Sequence, residues 1–273
     1  MSRIGLHLRV TDSLVAVARQ AMMLELPHFQ SFLMGRDAQD QLIIPSDYEI
    51  TQFRKLCERR FSRLYAHAPF WLNLADPARS SLEGLWRHVQ LAQRLGFTHL
   101  IVHPGSSVHA SREEGIEMVA RTLNGVLKKQ FSLTLVLENT AYGNRAVGSN
   151  ITDLCMIRDL LDKPEKVQFC IDTAHAHAYG YTVDTVDGMN SFLTTVERLL
   201  GAPAIGLLHL NDTADAHGSF HDRHAAIGAG MLGEAPLHAA LHHTLCAQVP
   251  VIVEPPLMVH EELAALYKKV QLW

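Results

Sequence analysis

Eight short runs rich in β-branched and aromatic residues recur along the 273-residue chain, and most are followed by a stretch with helical periodicity. Such alternation leaves few ways to fold, because a strand followed by a helix returns most readily as a parallel neighbour. The runs are Arg3–Leu8, His28–Met34, Arg63–Phe70, Thr98–His103, Leu133–Glu138, Val167–Asp172, Ile205–Leu210 and Val249–Glu254. Helices are expected from about Asp12, as N-cap, and over Ser46–Arg60, Ser81–Leu95, Ser111–Lys129, Ile151–Leu161 and Val186–Leu200. No linker or low-complexity segment interrupts the pattern, which predicts one α/β domain over 1–273, a (β/α)8 TIM barrel. The competing architecture is an open doubly wound sheet. No Gly-rich dinucleotide turn supports it, and GNRAVGSN (143–150) reads as a loop.

Composition narrows the function. Hydrophobic residues at 48% against 19% charged are enough for a sizeable core. A net charge of −4 gives no global attraction to nucleic acid, so any polyanion must be held by a local patch or by bound metal. Histidine, the commonest metal ligand, is the outlier at 17 residues. Cys57, Cys155, Cys170 and Cys246 form no CxxC pair, which argues against a zinc ribbon or a disulfide framework and fits a reducing compartment. The N-terminal MSRIGLHLRV lacks a signal-peptide pattern and no run is long enough to span a membrane. A cytoplasmic monomer without membrane association is the expectation.

The chemistry gathers where the strands end. The third run carries His67, the fourth ends at His103 and the fifth at Glu138. The sixth ends at Asp172 with His175 just beyond, the seventh reaches His209, and the eighth ends at Glu254. The segment Leu207–Gly230 continues from His209 into a polar loop bearing Asp222 and His224. In a closed barrel the C-terminal strand ends surround one mouth, so these nine metal-ligand-type residues should converge there. A lone histidine after an apolar run is more often a satisfied core residue. Glu138 and Glu254 are harder to dismiss, since they directly follow LTLVL and PVIV, and an unpaired buried carboxylate is very costly.

Nine ligands overfill one ion and would leave two ions without an open position. Three ions with one bridging carboxylate use all nine and leave room for water and substrate. Asp172, Asp222, Glu138 and Glu254 bring four negative charges, so three divalent ions leave a net positive site suited to a phosphodiester anion.

The motifs HAPFWLNL (67–74), VHPGS (102–106), LENTA (137–141), CIDTAHAHAYGY (170–181), HLND (209–212) and DRHxxIGxG (222–230) resemble the endonuclease IV family of zinc-dependent abasic-site endonucleases. The resemblance implies three zinc ions, with Mn2+ or Fe2+ able to substitute. One would take His67, His103 and bridging Glu138, a second Glu138, Asp172, His209 and Glu254, and a third His175, Asp222 and His224. It implies incision of damaged double-stranded DNA 5′ to an abasic site, a base-excision repair step, by a hydroxide formed on the metals. Glu254 and Glu138 would be the catalytic carboxylates, with Glu254 orienting the water.

The DNA-reading parts depart from that family. Its loop after the second strand carries a Lys-Asn-Gln-Arg type segment. Here the stretch is SFLMGRDAQDQL (31–42), with Arg36 as the counterpart. A bulky pair after the first histidine is Phe70-Trp71, still able to wedge into a duplex. Arg223 is the other expected DNA contact, whereas Phe220 stands where the family has a further arginine. Fewer basic contacts predict weaker and less salt-dependent duplex binding. Two other readings stay open: a sugar isomerase or epimerase on one or two metals, and a nucleic-acid binder whose metals are structural.

Overall fold

Strands buried on both faces are runs of Val, Ile and Leu, and here they pair in parallel around a closed ring. The computed structural model describes residues 3–36, 42–77, 79–107, 110–143 and 145–273. The barrel strands are β1 (Ile4–His7), β2 (Phe29–Phe32), β3 (Leu64–His67), β4 (His99–Val102), β5 (Thr134–Glu138), β6 (Val167–Asp172), β7 (Ile205–His209) and β8 (Val251–Val253). Each neighbours the next in sequence, and β8 closes on β1 through pairs such as Gly5 with Ile252. This is the (β/α)8 barrel that the alternation predicts. All strands but β6 are shorter than the runs that announce them. Pro69 follows β3 closely and Pro255 follows β8, and neither can donate to a ladder.

The crossover helices are α1 (Leu14–Met23), α2 (Asp47–Cys57), α3 (Arg79–Leu95), α4 (Arg112–Leu127), α5 (Ile151–Asp159), α6 (Thr173–Tyr179), α7 (Val186–Leu200), α8 (Glu234–His242) and α9 (His260–Gln271). Their starts follow capping chemistry. Ser111 and Glu114 form a reciprocal capping box on α4. Helix α1 corrects one expectation: Ser13, not Asp12, is its N-cap. Ser13 has the extended backbone the position requires, and its hydroxyl accepts the Ala16 N–H at 3.1 Å.

Side chains on a strand alternate between the helix layer and the lumen, and this alternation positions the site. Tyr65, Ile101, Val136, Cys170, Leu207 and Ile252, one from each of β3 to β8, pack together inside the barrel. Two residues further along the same chains stand His67, His103, Glu138, Asp172, His209 and Glu254. The apolar plug and the polar layer above it are therefore successive lumen-facing layers. The plug seals the floor on which the polar layer rests.

Candidate metal centre

Glu138 is fully buried at the middle of the polar layer. Its Oε2 lies 3.0 Å from both His67 Nε2 and His103 Nε2. Its Oε1 lies 2.7 Å from His209 Nδ1, so the two oxygens face different groups. His209 Nδ1 also approaches Glu254 Oε2 at 3.2 Å and Asp172 Oδ2 at 3.7 Å. A third group forms above α6, where Asp222 Oδ2 is 3.1 Å from His175 Nε2 and Asp222 Oδ1 is 3.1 Å from His224 Nε2.

Local folding explains how the third group assembles. The Asp172 side chain caps α6 by accepting the His175 N–H at 2.8 Å, which turns His175 inward just beyond the strand. Asp222 and His224 arrive on a hairpin in which Asp212–Thr213 pairs antiparallel with His224–Ala225. Asp212 anchors that hairpin. Its Oδ1 accepts N–H groups of Thr213 and Leu232, and its Oδ2 those of Gly228 and Gly230.

Hydrogen bonds fix which nitrogen faces inward in four of the five rings. His67 Nδ1 donates to Ala68 O at 2.6 Å, His175 Nδ1 to Asn139 O at 2.8 Å and His224 Nδ1 to Glu254 O at 3.1 Å. His209 is turned the other way, donating Nε2–H to Gln30 Oε1 at 2.8 Å. A neutral ring with one nitrogen committed as donor presents the other as an unprotonated acceptor. Acceptors then face carboxylate oxygens across about 3 Å, an arrangement that repels unless positive charge lies between them. The inward Nε2 atoms of His175 and His224 are buried without a hydrogen-bond partner. Donors about 2.0 Å from a tetrahedral cation stand about 3.3 Å apart, which matches these separations. The donor set fits divalent metal.

The electrostatics agree. Burial works against charge on Glu138, yet His209 and His103 hold its carboxyl well below the usual range. Asp222 is likewise held down by His175 and His224 despite burial. The field of the carboxylates, opposed by burial, lifts His224 to about 9 and His175 well above its ordinary value. The cluster demands positive charge, as protons on these rings or as cations between them. Cys170 comes within reach of Glu138 and His209, but burial pushes its thiol up to about 12 and leaves it neutral and a poor ligand.

The layer opens into a cavity of about 700 Å³ whose wall includes Arg9, Phe32, Met34, Phe70, Trp71, Arg223 and Leu257. A family model described as xylose isomerase-like TIM barrel matches residues 28–271. A Thermotoga maritima protein named "Probable endonuclease 4" is 30% identical over 263 residues, which are 94% of this chain and 91% of that one. The chain belongs to the endonuclease IV family. A solved endonuclease IV from Thermus thermophilus is 27% identical and superposes with a TM-score of 0.81, covering 99% of this chain and 98% of that one. The barrel itself is more widely shared. A D-tagatose 3-epimerase-like protein, 18% identical, superposes with a TM-score of 0.73 over 99% of this chain and 97% of that one, a likeness of fold alone.

All nine residues expected from the strand ends converge at the mouth of this endonuclease IV barrel. Phe70 and Trp71 stand exposed on the rim with ring centroids 5.3 Å apart. Arg223 reaches the cavity wall, yet its guanidinium is tied to buried Asp215 at 2.5 Å. Arg36 lies in a two-residue strand, Gly35–Arg36, paired with Leu42–Ile43; its side chain and residues 37–41 are outside the described residues.

Sequence reasoning missed the amides that hold the layer. Gln30 Nε2 donates to Glu254 Oε1 at 2.6 Å, and Asn211 Nδ2 donates to Asp172 Oδ2 at 2.6 Å. His7 Nδ1 meets the same Glu254 oxygen at 3.1 Å. A signal existed. His7 and Gln30 occupy on β1 and β2 the layer above Gly5 and His28, the same two-residue step that places six of the nine. Such outer partners orient ligands and set their basicity.

Proposed function

We propose that this protein is a metal-dependent endonuclease that hydrolyses the DNA phosphodiester 5′ to an abasic site, as its named relatives suggest. The observation that carries the reading is the acceptor-facing-acceptor layer around Glu138 together with the Asp222 group beside it, nine donors of metal-ligand type in all. His67, His103 and Glu138 would hold one ion. Glu138, Asp172, His209 and Glu254 would hold a second, and His175, Asp222 and His224 a third. Mixed imidazole and carboxylate donors suit zinc, with Mn2+ or Fe2+ as substitutes. Bound divalent ions would supply Lewis-acid polarisation of the phosphoryl oxygens and activation of water.

The protein's own part is to place charge and exclude solvent. Glu254 stays ionised because His209 and His7 hold it well below the usual carboxylate range, against burial. It is clamped through Oε1 by His7 and Gln30 and through Oε2 by Asn211. A carboxylate so fixed can orient a water and accept its proton at Oε2 as the water adds to phosphorus and the P–O3′ bond breaks, the departing 3′-oxygen taking a proton from solvent to give the 3′-hydroxyl. Glu138, bridging two groups of histidines, keeps them at a fixed separation. Phe70 and Trp71 would enter the duplex beside the lesion and present the flexible abasic sugar to the mouth. The described helices include none long and apolar enough to cross a membrane, and free, mostly buried cysteines fit a reducing cytoplasm.

Incubating the zinc-loaded protein with a duplex containing one abasic site tests the reading. Incision leaving a 3′-hydroxyl is the expected result, and an intact duplex would overturn it. A sugar epimerase is the second reading, favoured by the shared barrel. It predicts full activity with one or two ions per chain, whereas the nine donors here predict a stoichiometry near three.

A further inference from the structure

We infer that Arg9 is the phosphate anchor of the mouth, binding a backbone phosphate next to the one that would be cleaved. This rests on the endonuclease reading and adds a residue to it. Arg9 follows β1 by two residues, on a loop at the C-terminal face where such barrels build their sites. It is exposed and lines the same cavity as His7, Glu254 and His224.

Charge singles it out. Apart from the polar layer, His88 and two arginines, the cavity wall is apolar, with Phe32, Met34, Phe70, Trp71 and Leu257 prominent in it. Among the described residues two guanidinium groups reach it, and Arg223 is committed to Asp215 through Nε at 2.8 Å and a terminal nitrogen at 2.5 Å. Arg9 has no carboxylate partner among the described residues. A permanently charged, planar donor that is left unpaired beside an anion-accepting site is suited to a phosphate diester.

Position supports the assignment. Strand β1 lies beside β2, with Leu6 opposite Phe29 and His7 opposite Gln30. The chain leaving β2 brings Leu33 and Met34 to the cavity and no described cation. Arg9, rising on the adjoining loop, therefore supplies positive charge to the side of the mouth where the described residues of the β2 loop are apolar. The loop is not floppy at its root, because Leu8 N–H donates to Gln30 O at 2.8 Å and His7 is bonded to Glu254. The anchor is thus in register with the carboxylate that would orient water.

The test compares wild type, Arg9→Gln, Arg9→Lys and Arg19→Gln. Arg19 is an exposed control on α1 that makes the same charge change away from the mouth. Fluorescence anisotropy with a labelled abasic duplex across a salt series gives the binding slope, and steady-state incision gives KM and kcat. Arg9→Gln should weaken binding about tenfold and reduce the slope of log K against log salt by about 0.9, the loss of one phosphate contact. KM should rise with it by more than kcat falls. Arg9→Lys should restore the slope, and Arg19→Gln should match wild type. Arg9→Gln with wild-type affinity and slope overturns the inference. So does an Arg19→Gln loss equal to that of Arg9→Gln, which would mean net charge and not position. Wild type that binds with an Arg9-dependent slope yet never incises would sink the endonuclease reading and leave the anchor standing. Wild type that shows no duplex binding would overturn the anchor itself.

Discussion

Asn211 and Glu254 hold each other twice: the Asn211 amide donates to Glu254 Oε2 at 2.9 Å, and the Glu254 backbone N–H donates to Asn211 Oδ1 at 2.8 Å. The same amide donates to Asp172 Oδ2 at 2.6 Å, so one side chain sets the spacing of two carboxylates from different strands. Removing such a support costs roughly 10- to 100-fold in metal affinity or activity. Asn211→Ala should therefore lower kcat by about that factor while the circular dichroism spectrum stays that of wild type. Asn211→Asp should be worse, because it adds a carboxylate where two already approach. Equal activity in all three proteins would remove Asn211 from the site.

Stripping the metal should destabilise the fold as well as stop the reaction. Four carboxylates and inward acceptor nitrogens are then left facing one another around Glu138. Ligand binding to the folded state adds about 4 kcal/mol at a thousandfold excess over Kd. Chelator-treated protein should melt several degrees lower, and zinc should restore the melting temperature in a saturable way. His175→Ala should show a smaller zinc-dependent rise than wild type.

The floor of the barrel should make the protein acid-labile independently of the mouth. Burial, with the Arg63 charge beside it, depresses His99 to about 4. Burial depresses His28 to about 4 as well, partly offset by its hydrogen bond to Val251 O. Both rings lie against Tyr65, at centroid distances of 5.6 Å for His28 and 4.7 Å for His99. An unfolded histidine binds its proton near pH 6.5, so between about pH 6.5 and 4 the unfolded chain holds more protons and stability falls as pH falls. Each ring contributes on the order of 2 kcal/mol to that loss. Urea midpoints across this range should fall less steeply in His99→Gln than in wild type. Parallel curves would refute the assignment.

The site was largely readable because one rule, the two-residue step of a strand, carries both its layers. Val136 and Glu138, or Leu207 and His209, differ only in which layer of the lumen they fill. The same step reaches Gln30 from His28, but an amide is no metal ligand, so a search by ligand type passes over it. Helix α6 was hidden for another reason. It is a seven-residue turn whose N-cap is Asp172, a residue already explained by its chemistry. The hairpin that pairs Thr213 with His224 leaves no periodicity in two residues per strand. Glycines and a buried aspartate make it, and only the folded chain shows what they hold.

Asp212 gives that hairpin its shape, and this separates it from the other acids near the mouth. It is fully buried and accepts four backbone N–H groups, from residues 213, 228, 230 and 232. Gly230 is where this anchoring requires glycine, since a Cβ there would stand 2.3 Å from Asp212 Oδ1. Truncating Asp212 leaves four buried donors without a partner, at about 1–3 kcal/mol each before the loop relaxes. The loop will relax, and in doing so it releases Asp222 and His224 from their places over His175. Asp212→Ala should thus lose zinc from the outermost site first, read as a drop of about one ion per chain, with proteolytic cutting appearing between residues 213 and 232. Asp212→Asn keeps the acceptor oxygen but turns an amide NH2 on two of the four N–H groups, and should fall between Asp212→Ala and wild type. Full zinc content and protease resistance in Asp212→Ala would show that the hairpin holds its ligands without this anchor.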